Sequence, residues 1–444
     1  VLPNGLPALV SFLGASTVGT AAPLNPAYRH DEFRFFLEDT EARILICPPT
    51  GAEEARRAAA ELSIPVFAAE MDSEGAVHLL DAPAKPLDHE SVPQDVALVL
   101  HTSGSTGKPK RVPLEHANLT ISARNIVATY GLTPEDVSLC IMPLFHVHGL
   151  VASVLATFAS GGAAVIPGRF DALGFWKIVG EYGVTWYSGV PTMHQLLLAR
   201  AHSKGKPAAA ESLRFIRSCS TPLSVEVIHK MEAIFGVPVV EAYGMTEAAH
   251  QMSSNPLPPE ERRHGSVGKP QGVLISVVGA KGVHLHHSHR GEIVIKGPNI
   301  FRGYENNPEA NETAFINGWF RTGDEGYLDS HGFLHITGRL KEQINRGGEK
   351  ISPREIDKVL LSHPQVAEAV TFGFPHAQLG EEVAAAVALH EPISEEELIV
   401  YCRERLAEFK CPKKFYIVER IPQTATGKIR RSAVAAALLN GEVP

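Results

Sequence analysis

Cysteine is scarce in this sequence. Five residues in 444 (Cys47, Cys140, Cys219, Cys402 and Cys411) show no CxxC spacing. That excludes a disulfide framework and a thiolate zinc site, and it predicts free thiols in a reducing compartment. Long apolar runs are missing too. No stretch reaches the roughly 20 residues that cross a bilayer, and no signal-peptide pattern opens the chain. Excess positive charge is also absent: the formal net charge of -8 gives no basis for broad attraction to nucleic acid. What remains is ordinary globular composition, 44% apolar and 20% charged, in a chain too long for one core. Two or more domains are expected.

The one metal-like cluster, "HLHHSH" from His284 to His289, reads as a solvated loop before the strand "GEIVIKG". From Val96 to about Gly244, short apolar runs ("VALVLH", "VSLCIMP", "AAVIPG", "VTWYSGVP", "LRFIRSCS", "VPVVEAY") alternate with helical segments such as "EHANLTISARNIVATYG" and "SVEVIHKMEAIFG". That alternation predicts an α/β domain with a mainly parallel sheet. The stretch from "ALVSFLGASTVGT" to "RILICPP" has the same texture. After about Gly265, "LISVVGA", "GEIVIKGP" and "GFLHITGR" predict a β-rich subdomain of antiparallel strands, over 265–339. The last hundred residues read as a small α+β unit. Ser352, Pro353 and Glu355 suit N-cap, N1 and N3 of a helix, and Ser394 to Glu397 forms a second capping box. The boundary falls near "GRLKEQ", giving a large N-terminal α/β domain over 1–339 and a small C-terminal domain over 340–444.

"HTSGSTGKPKR", His101 to Arg111, suits neither a helix nor a regular strand. Its glycines, hydroxyls and cations suit phosphate, since backbone N–H groups of glycine-rich turns hold anions. It is not a P-loop of the kinase type: Pro109 follows Lys108 where Ser or Thr is needed, and the next helix opens several residues later, near Glu115. Alone, such a loop is as often a plain surface turn. Its companions, in order, are "MPLFHVHGL" (Met142–Leu150), "EAYGMTE" (Glu241–Glu247), "GWFRTGD" (Gly318–Asp324), "GRLKEQINRGGEKISPREID" (Gly338–Asp357) and "PQTATGKIRR" (Pro422–Arg431). This ordered set resembles the adenylate-forming superfamily of acyl-CoA synthetases, carrier-protein adenylation domains and luciferases, over essentially the whole chain. The resemblance implies a large N-terminal domain and a small mobile C-terminal domain. It implies ATP, Mg2+ and coenzyme A as cofactors, and a small-molecule carboxylic acid as partner.

The resemblance also implies roles. Thr102, Ser103, Gly104, Ser105, Thr106, Gly107, Lys108 and Lys110 would wrap the phosphates that leave as pyrophosphate. Tyr243 would stack on adenine, with Ser220, Thr221 and Pro222 at the adenine-contacting turn. Thr246 would bond the α-phosphate and Glu247 would hold Mg2+; taken singly, a strand-end aromatic is usually core and a Glu usually solvated. Asp324 and Arg339 would hold the ribose, Lys428 would stabilise the first transition state, and Lys341 would be the hinge. Gly347 and Gly348 would let backbone approach the pantetheine arm of CoA.

Two departures stand out. Arg111 occupies a place where the family usually has Gly, and the chain opens in a region that relatives reach after several dozen residues, so Val1 is not expected to be the native start. The linker insertion of fatty acyl-AMP ligases has no room before "GRLKEQ", which favours CoA as acceptor. The acyl pocket would be lined by His146, His148, Ser218, Ser220 and His250, a polar set, although each histidine is as readily scaffold. "LFHVHGL", "TWYSGVPTMHQ", "LRFIRSCS", "MTEAAHQMSSNPLP" and "INRGGEKISP" resemble the oxalyl-CoA synthetases of plants and yeast. Oxalate or another small dicarboxylate is therefore the expected acid. The alternatives are an aryl- or fatty-acid–CoA ligase, a stand-alone enzyme loading a carrier protein, and a non-catalytic nucleotide-binding module; the last would expect losses among Thr246, Glu247, Asp324, Arg339 and Lys428, and none is lost. The chain ends "GEVP" without a peroxisomal tripeptide, so a cytoplasmic location is expected, or a peroxisomal one if the C-terminus is incomplete.

Overall fold

The computed structural model describes residues 1–83, 90–102, 109–424 and 429–442, with the side chains of 202–204 left aside. The alternating middle of the chain folds as expected. A seven-stranded sheet runs in the spatial order Lys269–Pro270, His250–Ser254, Val239–Met245, Phe215–Ser218, Trp186–Gly189, Val137–Leu139 and Ala163–Val165. The last five of these are parallel, and His250–Ser254 returns antiparallel on Val239–Met245. Both faces are covered. On one, Ile126 and Tyr130 of the helix His116–Tyr130 pack over Trp186, Phe215 and Val240; on the other, Phe175, Leu197, Ile228 and Phe235 pack over Tyr187, Ile216 and Val239. Local signals set the helix ends: Gly131 stops His116–Tyr130 in the left-handed region, and Ser224 caps Val225–Phe235 through Val227 N–H at 3.2 Å.

"VALVLH" is a strand, Val96–Thr102, but it lies outside the parallel sheet. It pairs antiparallel with Lys110–Glu115 in a two-stranded ribbon, because the return strand follows after a connection too short for a crossover. The ends of the 101–111 stretch are thus regular strand, with Thr102 opposite Lys110 and His101 opposite Arg111, a correction to the reading of that whole stretch as irregular.

The β-rich region is a five-stranded antiparallel sheet built from Leu274–Val278, Gly291–Lys296, Phe315–Ile316, Trp319–Leu328 and Leu334–Arg339. The next strand, Ile344–Arg346, belongs to another sheet, with Glu349–Ile351, Val366–His376, Gly380–Leu389 and Lys414–Val418. The small C-terminal domain has its own core on the two faces of that sheet, around Ile356, Leu360 and Leu398 on one and Val370, Ile421 and Val434 on the other. The Ser394 capping box forms, with bonds of 3.2 and 3.0 Å to and from Glu397. Ser352 departs from expectation. Its hydroxyl does not cap the helix Pro353–Leu361 but donates to the carbonyl of Thr337 at 2.5 Å, across the junction of the two domains. Glu355 is likewise used elsewhere, accepting from Lys410 Nζ at 2.7 Å. No helix among the described residues is long and apolar enough to cross a membrane.

Candidate active site

Parallel α/β sheets present ligand sites beyond the carboxyl ends of their strands, and several of the expected residues lie there. The strand Val239–Met245 delivers Tyr243, and the short turn Thr246–Ala248 carries Thr246 and Glu247 back toward His250. Gly244 is required at this crossing: a Cβ there would stand 2.1 Å from the carbonyl oxygen of His250.

Tyr243, Asp324 and Arg339 form one unit. The buried Asp324 accepts from Tyr243 Oη at 2.5 Å on one oxygen and from Arg339 Nε at 2.8 Å on the other. Asp324 and Arg339 are register partners on neighbouring strands, which explains the spacing of "RTGD" and "GR" in the sequence. The Asp324 charge is the first cause that holds the Arg339 guanidinium above its ordinary pKa; burial, then Asp324, pushes the Tyr243 phenol well up. A neutral phenol, a carboxylate and a guanidinium in one cluster suit ribose hydroxyls.

Glu247 is buried, and one oxygen accepts from Tyr304 Oη at 2.9 Å. Burial and then the Glu247 charge raise the Tyr304 pKa. Lys110 Nζ lies 4.5 Å from the centre of the Tyr304 ring, so the stem of the glycine-rich loop and Glu247 share this tyrosine. A buried carboxylate beside a neutral donor fits a hard divalent cation. Sequence reasoning missed Tyr304, whose signal is slight: a tyrosine in the turn "RGYENNP".

Arg111, without a role from sequence alone, is a strut. It is 7% exposed, its Nη1 donates to the Asp39 carbonyl, and its Nε stands 3.5 Å from Asp39 Oδ2 and 3.6 Å from Glu305. His101, its register partner, donates to the same Asp39 oxygen at 2.8 Å. The base of this two-stranded ribbon is thereby fastened to the helix His30–Asp39.

The polar residues expected around the acid divide. His148 opens a π-helix, His148–Leu155, a geometry that recurs at functional sites. Its Nδ1 is 3.0 Å from Ser220 Oγ and its Nε2 is 2.6 Å from Ser188 Oγ; its ring centre is 5.2 Å from that of His250. Arg217 Nη2 lies 3.3 Å from His250 Nδ1. Ser220 and His250 both hold left-handed backbone, at φ 75° and 103°, strained for residues with a side chain. Ser218 is left out. It neighbours Arg217 on the strand Phe215–Ser218, so its side chain points to the opposite face, where its buried hydroxyl has no hydrogen-bond partner among the described residues. His146 packs its ring on Phe145, 4.9 Å between centres. Ser188 and Arg217 are functional candidates that sequence reasoning passed over. Their signal was a cation and a serine inside apolar strands, "FIRS" and "WYSG".

Thr102 stands at the ribbon's end, and Thr221 and Pro222 follow Ser220 at the sheet's carboxyl edge. Lys341 sits in the turn Leu340–Glu342; burial, then the Arg339 charge, lowers its ammonium pKa. Gly347 and Gly348, at φ 59° and 95°, make the two-residue turn between Ile344–Arg346 and Glu349–Ile351. No hydrogen bond or ion pair among the described residues joins that turn to Asp324 or Glu247. Ser103, Gly104, Ser105, Thr106, Gly107, Lys108 and Lys428 lie outside the described residues.

The chain belongs to the AMP-binding enzyme family: residues 1–305 match the family described as AMP-binding enzyme, and residues 355–428 match the AMP-binding enzyme C-terminal domain. It is 47% identical to a probable CoA ligase of Humulus lupulus (98% of this chain, 85% of that protein) and 45% identical to the oxalate–CoA ligase of Arabidopsis thaliana (98% and 86%). It is 43% identical to the oxalate–CoA ligase of Saccharomyces cerevisiae (97% and 85%). Among solved structures, ATP-bound MatB from Rhodopseudomonas palustris superposes with TM-score 0.89 at 31% identity (98% and 86%). The O-succinylbenzoate coenzyme A synthetase of Bacillus subtilis, with ATP and a magnesium ion, superposes with TM-score 0.85 at 32% identity (98% and 88%). Family and fold together define an AMP-forming acid–CoA ligase.

Proposed function

We propose that this protein is an ATP-dependent oxalate–CoA ligase. The observation that carries the acid is a polar cluster, half-buried Ser220 with buried His148 and His250, at the carboxyl edge of the sheet that also delivers Tyr243 and Glu247. Oxalate keeps its second carboxylate ionised at neutral pH, and burying that charge without donors is costly. An apolar pocket suited to alkyl or aryl acids offers no such donors, and these polar groups would be left unpaired against an alkyl tail.

In the first step an oxygen of one oxalate carboxylate attacks the α-phosphorus of ATP. A new C(=O)–O–P linkage forms, the α–β bridging bond breaks, and pyrophosphate leaves. In the second step the CoA thiolate attacks the acyl carbon, the thioester forms, and AMP leaves with the bond's electron pair. Tyr243, Asp324 and Arg339 hold the nucleoside; Thr246 donates to the α-phosphate; the stem at Thr102 and Lys110 steadies the departing phosphates. Glu247 would hold Mg2+, which supplies charge neutralisation at the phosphates when bound. Lys428 brings a cation to the first step. The C-terminal domain, beginning at residue 340, turns about Lys341 to exchange that pose for one in which Gly347 and Gly348 face the pantetheine arm. The five free cysteines, all buried, support a reducing compartment, the cytoplasm, as its location.

ATP–pyrophosphate exchange and CoA-thioester formation, measured with oxalate, malonate, octanoate and 4-coumarate at equal ATP and CoA, test the reading. Oxalate should give the highest kcat/KM. A wide margin for octanoate or 4-coumarate would overturn the oxalate assignment and leave the ligase chemistry standing.

A further inference from the structure

Arg217 is completely buried, and no carboxylate pairs with it among the described residues. The groups that face it come from every element around it. Tyr130 Oη, from the helix above, accepts from Nε at 2.9 Å; Ser188 Oγ, on the neighbouring strand, accepts from Nη1 at 2.9 Å. His250 Nδ1 and Gln251 Oε1, on the return strand, accept from Nη2 at 3.3 and 3.1 Å, and Cys219 follows on its own segment. An unpaired charge so deep in a protein is expensive, and the surrounding acceptors recover only part of its lost hydration.

A guanidinium can only donate, and that fixes the direction of each bond leading away from it. Ser188 Oγ accepts a hydrogen bond from Arg217, and its own hydrogen is best used on its other close neighbour, His148 Nε2, at 2.6 Å. A His148 ring that accepts at Nε2 carries its hydrogen on Nδ1 and donates it to Ser220 Oγ at 3.0 Å. The Ser220 hydroxyl hydrogen is thereby turned toward another acceptor. On the second arm, His250 accepts from Arg217 at Nδ1 and so carries its hydrogen on Nε2.

We propose that Arg217 is a positioning residue that polarises the Ser188–His148–Ser220 chain and the His250 ring, so that Ser220 and His250 meet the distal carboxylate of oxalate as hydrogen-bond donors. Its unpaired positive charge also favours entry of that anion. The inference rests on the oxalate reading for the identity of the anion, and on the bond directions alone for the polarity of the network.

Two variants and one spectroscopic measurement test it. Arg217→Gln removes the obligate donor. Ser188→Ala breaks only the arm to His148 and keeps the guanidinium, so it serves should the first variant fail to fold. Each should raise KM for oxalate on the order of tenfold, the size expected for a lost hydrogen bond to a charged group, with KM for ATP unchanged. The tautomers of the ligand-free wild type, read by 15N NMR of labelled histidines, should be Nδ1–H at His148 and Nε2–H at His250. Nε2–H at His148, or folded variants with unchanged KM for oxalate, overturns the proposal. A wild-type enzyme that ignores oxalate but activates another acid sinks the oxalate reading, while the tautomers still decide the polarity.

Discussion

Arg339 and Glu342 stand three positions apart and are fastened in opposite directions. Arg339 Nε is held by Asp324 in the large domain at 2.8 Å, whereas Glu342 Oε2 accepts from Arg431 Nε at 3.3 Å, at the start of the last helix of the small domain. Arg431 is itself bound to Asp357 at 2.8 Å and to the carbonyl of Thr371. Only Leu340 and Lys341 lie between these anchors. The bonds that would break in a rotation are Ser352 Oγ to Thr337 O at 2.5 Å and Gln343 Nε2 to Glu325 Oε1 at 3.0 Å.

A proline at position 341 fixes φ at one of the two residues between these anchors, the one proposed as the hinge. Lys341→Pro should keep pyrophosphate exchange and lose acyl-CoA production. Parallel loss of both half-reactions would mean instead that the substitution disrupts the junction.

Lys428→Ala should slow adenylation by roughly a hundredfold or more, as for other preorganised charges at a transition state. Thioester formation from preformed oxalyl adenylate and CoA should proceed at near wild-type rate, measured by release of AMP. Normal pyrophosphate exchange in this variant removes Lys428 from the first step.

Two polar residues of the same region should behave oppositely. His250→Ala deletes a donor and leaves one Arg217 amino group with Gln251 as its remaining partner, so KM for oxalate should rise by tenfold or more, or about 1.5–3 kcal/mol. Ser218→Ala removes a buried hydroxyl that bonds nothing among the described residues and points away from the cluster; KM and melting temperature should stay near wild type. Equal effects of the two substitutions on oxalate KM would contradict that division of the pocket.

Glu241 lies two residues before Tyr243, buried, with one oxygen accepting from Gly265 N–H at 2.9 Å. Burial pushes its carboxyl up from 4.5 to about 8. A raised folded-state pKa means that this group's contribution to stability is complete below about pH 4.5 and is lost as the pH rises through about 8. Glu241→Gln keeps an acceptor for Gly265 and cannot ionise. Its melting temperature should match that of wild type at pH 5 and exceed it at pH 9; a constant difference across that range would show that Glu241 titrates normally in the folded protein.

Strand and helix periodicity made the parallel sheet legible, and the family resemblance grouped Tyr243, Asp324 and Arg339, which the structure joins by hydrogen bonds. Register explains why this worked: Asp324 and Arg339 are opposite each other on adjacent strands, so a short spacing encodes a contact. Sequence spacing failed where the contact runs through a side chain reaching across the sheet. Arg217 connects residues 130, 188, 250 and 251, none of them local, and only the fold states which face of its strand it occupies. Ser218 was the more visible residue and faces away. Ser352 shows the same limit: its local pattern is that of an N-cap, but a carbonyl from the other domain takes its hydroxyl.

The left-handed backbone of Ser220 and His250 has a consequence for engineering. Each such conformation costs about 1–3 kcal/mol, a load that Gly would not carry at φ 75° or 103°. Selection for heat tolerance alone would therefore drift toward glycine at the two positions proposed to meet the acid. On the oxalate reading, the backbone strain and the hold on a small anion fall on the same two residues, and a screen that scores only heat tolerance will erode the other.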